Sequence, residues 1–190
     1  MGERSGRRCR GRRSRPRPGS VSLDDIDAAA VQRQLGRPAR GAVDVAHRCP
    51  CGAPDVVRTL PRLPDGTPFP TTFYATCPRL TGALSTLESG GLMREMTQRL
   101  ADDPELASAY AAAHEDYLAR RAALGEVAET AGVSAGGMPS RVKCLHVLVA
   151  HSLAAGPGVN PFGDEALDLL QPWWLSQACT ATDAESPEGI

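Results

Sequence analysis

The apolar positions change period along the chain, and that change predicts the elements. Ser22 followed by Asp25 has the form of a capping box. Ile26, Ala29, Ala30 and Leu35 then line one face of a first helix, and Gly36 and Pro38 end it. Residues 43–46 are expected to form a short strand that runs into the first cysteine pair. Residues 56–60 and 72–76 are β-prone runs on either side of Pro61-Arg-Leu-Pro-Asp-Gly-Thr-Pro-Phe-Pro70, a loop stiffened by four prolines. That arrangement predicts a hairpin.

Beyond Pro78 the period is helical. Leu80, Leu84 and Leu87 mark one helix, and Leu92, Met93, Met96 and Leu100 a second. Asp103 caps a third, with Pro104 in its first turn and Leu106, Tyr110, Ala113, Tyr117 and Leu124 inward. Residues 125–137 read as a weak linker. A fourth helix is expected over 140–155 and a short last one over 164–170. The resulting expectation is an α+β fold, a mainly helical single domain with a small Pro-rich β-hairpin packed on the helices. The expected boundaries are a disordered Arg-rich arm over 1–20, one globular domain over 21–175 and a disordered tail over 176–190.

Composition adds three constraints. No apolar run reaches the roughly 18 residues of a membrane span. No hydrophobic segment of a secretory signal follows the basic start, so the expected location is cytoplasmic, where clustered thiols more often bind metal than form disulfides. The net charge of −1 conceals a split: residues 1–18 hold eight arginines against Glu3, which leaves about −8 for the rest. The arm could touch nucleic acid or anionic lipid by charge alone, or be a solvated extension.

The candidate chemistry sits in three segments: residues 47–52 (His-Arg-Cys-Pro-Cys-Gly), 76–78 (Thr-Cys-Pro) and 141–146 (Arg-Val-Lys-Cys-Leu-His), with His151 beyond them. An antiparallel hairpin would bring Cys49 and Cys51, before its first strand, close to Cys77, after its second. Cys144 would supply a fourth thiolate from the long helix. Four thiolates admit zinc or an iron–sulfur cluster, and three with His47 or His146 admit a mixed zinc site. The alternatives are small buried side chains or a thiol redox pair.

On a regular helix Cys144 and His151 lie two turns, about 10.5 Å, apart, so His151 falls outside the ligand shell. His146 can join Cys144 only if the helix begins irregularly there. Cys9 and Cys179 fall in the arm and the tail and are excluded. A polar set forms a second candidate: Arg79, Arg141 and Lys143 for an anion, with His146, His151, Asp65 and Asp164 as candidate catalytic groups. Capping and surface ion pairs explain the same residues equally well.

These segments, together with residues 62–71, 136–146 and 156–164, resemble the actinobacterial family called domain of unknown function 501. The resemblance spans about residues 24–175. It implies no activity, and it carries an association with genes for septum formation and for an exopolyphosphatase-like protein. Three functional expectations follow. The first is a metal-binding protein whose ion, zinc or an iron–sulfur cluster, joins hairpin to helix. The second is an enzyme acting on an anionic or phosphorylated small molecule. The third is an interaction module linked to cell division.

Overall fold

The computed structural model describes residues 22–175 and Cys179. The expected arm over 1–20 and tail over 176–190 lie outside the described residues, except for Cys179, which is buried. The fold is α+β and mainly helical. The described elements are α1 (Asp25–Leu35), β1 (Ala42–Arg48), β2 (Pro54–Thr59), β3 (Phe73–Ala75), α2 (Pro78–Ser89), α3 (Leu92–Asp102), α4 (Pro104–Ala122), a 3-10 turn (Ala128–Thr130), α5 (Leu145–Ala155) and α6 (Pro161–Asp168).

The hairpin is part of a larger sheet. The 43–46 run extends into β1, which pairs antiparallel with β2, and β2 pairs antiparallel with β3, in the order β1-β2-β3. Helix α1 differs from expectation in cap and phase. Asp24, not Ser22, is the N-cap, accepting the Asp27 N–H at 2.8 Å. Ile26 is 80% exposed, while Asp27, Ala30 and Val31 face inward. The reason is electrostatic: Arg48, at the end of β1, clamps Asp27 with two bonds of 2.6 and 2.9 Å, so the face holding Asp27 docks on the sheet.

Helix α5 is the centre of the molecule. Its residues 147–152 are all buried, and so is Leu145. A helix that is apolar around its whole circumference must be enclosed, and α5 packs against α6, β3 and α2. It begins at Leu145, five residues later than the sequence suggests. The preceding chain stays extended because tertiary bonds hold it: Val142 N–H donates to Thr97 Oγ1 (2.9 Å), and Tyr110 Oη donates to the Arg141 carbonyl (3.1 Å).

The 125–137 segment is also better anchored than its composition implies. The buried Arg121 guanidinium donates to the Val133 and Thr130 carbonyls, both at 2.6 Å. Helix α6 starts at Pro161 instead of 164. Asn160 caps it by accepting the Gly163 N–H at 3.0 Å. No described helix is long and apolar enough to cross a membrane.

Gly163 lets α6 lie directly on α5. A methyl group at this position would collide with the Leu148 carbonyl oxygen and Ser152 Oγ. Both belong to a helix that has no room to move, because its other sides are covered. Gly163→Ala is therefore expected to lower unfolding free energy by about 1–3 kcal/mol or more, read as a reduced urea midpoint. An unchanged midpoint would show that the two helices do not meet this closely.

Candidate metal centre

The sheet delivers the first thiols. Strand β1 runs out at Arg48, and residues 49–52 turn the chain back into β2. Cys49 N–H donates to the Ala53 carbonyl (3.0 Å) and Gly52 N–H to the Cys49 carbonyl (2.8 Å). Gly52 sits at φ +86°, a conformation that favours glycine. Strand β3 runs antiparallel to β2, so its far end returns to the same edge of the sheet. There Cys77 serves as N-cap of α2, with Pro78 at the first helical position.

Cys179 supplies a further sulfur at this end of the sheet, and Cys77 is not among the sulfurs that lie within 4.8 Å of one another. Cys179 Sγ lies 3.4 Å from Cys49 Sγ, and the sulfurs of Cys49, Cys51 and Cys179 all fall within 4.8 Å of one another. The Cys179 thiol also interacts with that of Cys77. Gln34 of α1 braces this region by donating to the Pro54 carbonyl (2.7 Å) and the Cys179 carbonyl (3.4 Å). The thiols are free, not disulfide-bonded. Cys49, Cys77 and Cys179 are buried and Cys51 is exposed.

Backbone amides shape the electrostatics. Burial pushes the Cys49 thiol up, opposed by the Cys51 N–H. Burial acts in the same direction on Cys51, but backbone groups of Cys179 and Ala53 outweigh it and hold Cys51 below the ordinary thiol value. Burial and the neighbouring thiols raise Cys179 strongly. Amides directed at sulfur favour thiolate, the form that binds metal. The sulfurs of Cys49, Cys51 and Cys179 lie close enough together to hold a metal ion.

Cys144 does not join this cluster. It belongs to a second group with His146 and Glu88, whose ligand atoms likewise lie within 4.8 Å of one another. The late start of α5 makes this possible: Cys144 is the N-cap, and His146 occupies the second helical residue. His146 Nδ1 lies 3.8 Å from Cys144 Sγ and 3.0 Å from Glu88 Oε1. Glu88 Oε1 also accepts the Leu145 N–H at 2.7 Å. His146 is pushed up to about 9, mainly by the Cys144 sulfur, with burial opposing and Glu88 adding.

The polar candidates are dispersed. His151 is fully buried. Its Nε2 bonds Asp116 Oδ1 (2.8 Å), its Nδ1 faces Asn160 Nδ2 (3.3 Å), and its ring stacks on Phe73 with centroids 5.6 Å apart. Burial lowers its pKa, with Asp116 opposing. Asp65 is exposed, accepting the Thr67 N–H and lying 3.7 Å from Arg40. Asp164 accepts the Gly158 N–H at 2.7 Å.

Arg141 and Lys143 are exposed on the extended run before α5, and Arg79 is half-buried in the first turn of α2. None of these three cations lines the cleft beside His146. His47 pairs with the buried Asp55 at 2.8 Å and is not in the thiol cluster. Cys179 and Glu88 are the residues that sequence reasoning passed over. The tail around Cys179 is polar, and Glu88 looks like an ordinary helix-surface acid. The one available signal was a lone cysteine after two tryptophans.

The family described as "Protein of unknown function (DUF501)" has a model that matches residues 45–168. The chain belongs to the DUF501 family. No curated protein and no solved structure matches it. The DUF501 match takes in Cys49, Cys51 and Cys77 of the cluster and the whole Cys144 group, and it ends before Cys179.

Asp116 is held below the usual carboxylate range: burial acts to raise it, and bonds from Arg120 and His151 outweigh that. In this DUF501 core, Asp116→Ala leaves His151 Nε2 without its partner. The expected loss is about 1–3 kcal/mol of unfolding free energy, measured by urea denaturation. Asp116→Asn, which keeps an acceptor oxygen, should lose less. Equal stability of all three proteins would remove the role assigned to this bond.

Proposed function

We propose that this DUF501 protein binds one zinc ion through Cys49, Cys51, Cys77 and Cys179, and that the ion fastens three separated pieces of chain together. Those pieces are the β1–β2 turn, the start of α2 and the C-terminal segment. The observation that carries this reading is the spacing of three sulfurs, all within 4.8 Å of one another with the closest pair at 3.4 Å. Tetrahedral zinc, with Zn–S of about 2.3 Å, holds its sulfurs about 3.8 Å apart. An iron–sulfur cluster spreads its cysteines over several irons, so three thiolates do not crowd around one point. The spacing therefore favours a single ion over a cluster.

Four thiolates fill the coordination of zinc, and a closed site of this kind acts in structure and not in catalysis. The arrangement supports that role, since its ligands lie far apart in sequence and close one end of the sheet. The ion would contribute directly to the free energy of folding. The protein's activity at this centre is thus the retention of a metal that holds the C-terminal segment against the sheet.

Elemental analysis of the freshly purified full chain tests this. Cys49→Ala and Cys179→Ser should each contain one zinc fewer per chain than the parent, and the preparation should be colourless. With free zinc about 1,000-fold above Kd, linkage adds about 4 kcal/mol, which is roughly 8–16 °C in Tm for a chain of this size. A strong chelator should lower the Tm of the parent by about that increment more than it lowers the Tm of Cys179→Ser. Equal zinc content in parent and Cys179→Ser would end the proposal, as would the visible absorbance of an iron–sulfur cluster.

A further inference from the structure

The Cys144, His146 and Glu88 group has the residue types of a catalytic triad, but its connectivity is different. A relay uses the two ring nitrogens separately, one for the nucleophile and the other for the carboxylate. Here both partners face the same nitrogen, Nδ1. The opposite nitrogen, Nε2, lies 3.1 Å from the Thr81 carbonyl oxygen. A carbonyl only accepts, so Nε2 carries a hydrogen; in the metal-free protein Nδ1 carries the other toward the Glu88 carboxylate, and a metal ion would displace that proton and take the Nδ1 lone pair in the space shared with Sγ and Oε1. Fixing a histidine through its far N–H to a carbonyl is what orients a metal ligand. Glu88 is oriented in the same manner by the Leu145 N–H.

The distances agree with this reading. A tetrahedral zinc ion places a nitrogen and an oxygen ligand about 3.4 Å apart, and a sulfur and a nitrogen about 3.6 Å apart. The structure has 3.0 and 3.8 Å. The three ligands are of different types and come from two elements, the last turn of α2 and the start of α5.

Cys144 and His146 line a cleft of about 690 Å³. The groups facing it carry hydroxyl, amide or apolar surface, and no arginine, lysine, aspartate or glutamate lines it. Thr76, 1% exposed, also lines this cleft, and its Oγ1 has no hydrogen-bond partner among the described residues. A buried hydroxyl without a partner is costly unless a ligand completes it.

We propose that Cys144, His146 and Glu88 form a second divalent-metal site of the open, three-ligand kind, whose fourth position faces this cleft and takes a water or the donor atom of an uncharged polar ligand. The mixed sulfur, nitrogen and oxygen donors suit zinc. Three protein ligands with one position free is the arrangement zinc has when it acts as a Lewis acid. The neutral lining of the cleft selects against phosphorylated or carboxylate substrates. Thr76 Oγ1 supplies a hydrogen bond to whatever the metal holds. This site does not depend on the four-thiolate centre.

Zinc counting separates the two. The zinc-dialysed full chain should hold two zinc ions, and Cys144→Ala and Cys49→Ala one each. Glu88→Gln keeps an acceptor for the Leu145 N–H but loses the anionic ligand, so it should also fall to one at limiting zinc. It serves as the check if Cys144→Ala fails to fold by circular dichroism. Cobalt substitution tests the open position. Millimolar imidazole, a neutral donor, should change the visible bands of the cobalt forms of parent and Cys49→Ala, and leave those of Cys144→Ala unchanged.

One zinc in the parent, lost in Cys49→Ala and retained in Cys144→Ala, would overturn this inference and leave the thiolate centre standing. One zinc in the parent, lost in Cys144→Ala and kept in Cys49→Ala, would support it and overturn the other. Cobalt bands insensitive to imidazole in Cys49→Ala would overturn the open position.

Discussion

The structure depends on the enclosure of one apolar helix. Helix α5 has no polar face to turn to water, so the remaining elements are arranged to cover it. Strand β3 and helices α2 and α6 each take one side. This requirement explains features that local sequence does not: the close crossing at Gly163, the extended chain before Leu145, and the full desolvation of His151. A histidine in such a place keeps its polarity satisfied through Asp116 and Asn160 and contributes an aromatic surface for Phe73 and Tyr117.

Covering α5 also sets the positions of both cysteine-bearing groups. Helix α2 has Cys77 at its N-cap and Glu88 in its last turn, so one rigid element contributes to each. The span between those residues is about 16 Å of helix. The start of α5 lies against the end of α2, which places Cys144 and His146 beside Glu88. The other end of α2 meets the edge of the sheet where β1 stops and β2 begins. Two donor sets of different character thus sit toward opposite ends of one rod, one made of cysteine sulfur alone, the other mixed and beside a cleft.

Much of this was legible in the sequence, for definite reasons. The Pro-rich loop between two β-prone runs specified antiparallel pairing, which sets Cys49 and Cys51 at the same end of the sheet as Cys77. Helical spacing identified the inward faces of α3 and α4. It also set the condition for His146 to meet Cys144, an irregular helix start, which is the condition the structure meets. The illegible parts rest on contacts between distant residues. Asp27 turned inward because Arg48 was there to receive it. Residues 141–144 stayed extended because Thr97 and Tyr110 hold them. Cys179 sits in polar sequence with no period, and only the folded sheet edge gives it partners. Arg79, Arg141 and Lys143, expected to form an anion pocket, do not line the cleft beside His146.

Among Cys49, Cys51, Cys77 and Cys179, Cys51 is the exposed thiol, and backbone groups of Cys179 and Ala53 outweigh burial to hold it below the ordinary thiol value. Ligand exchange in the proposed thiolate centre therefore has a direction. A competing chelator or an oxidant meets Cys51 first, while Cys49, Cys77 and Cys179 stay shielded behind it. The centre would come apart stepwise from that corner, so its lifetime is governed by how often one surface thiolate lets go, and much less by the combined strength of the four bonds.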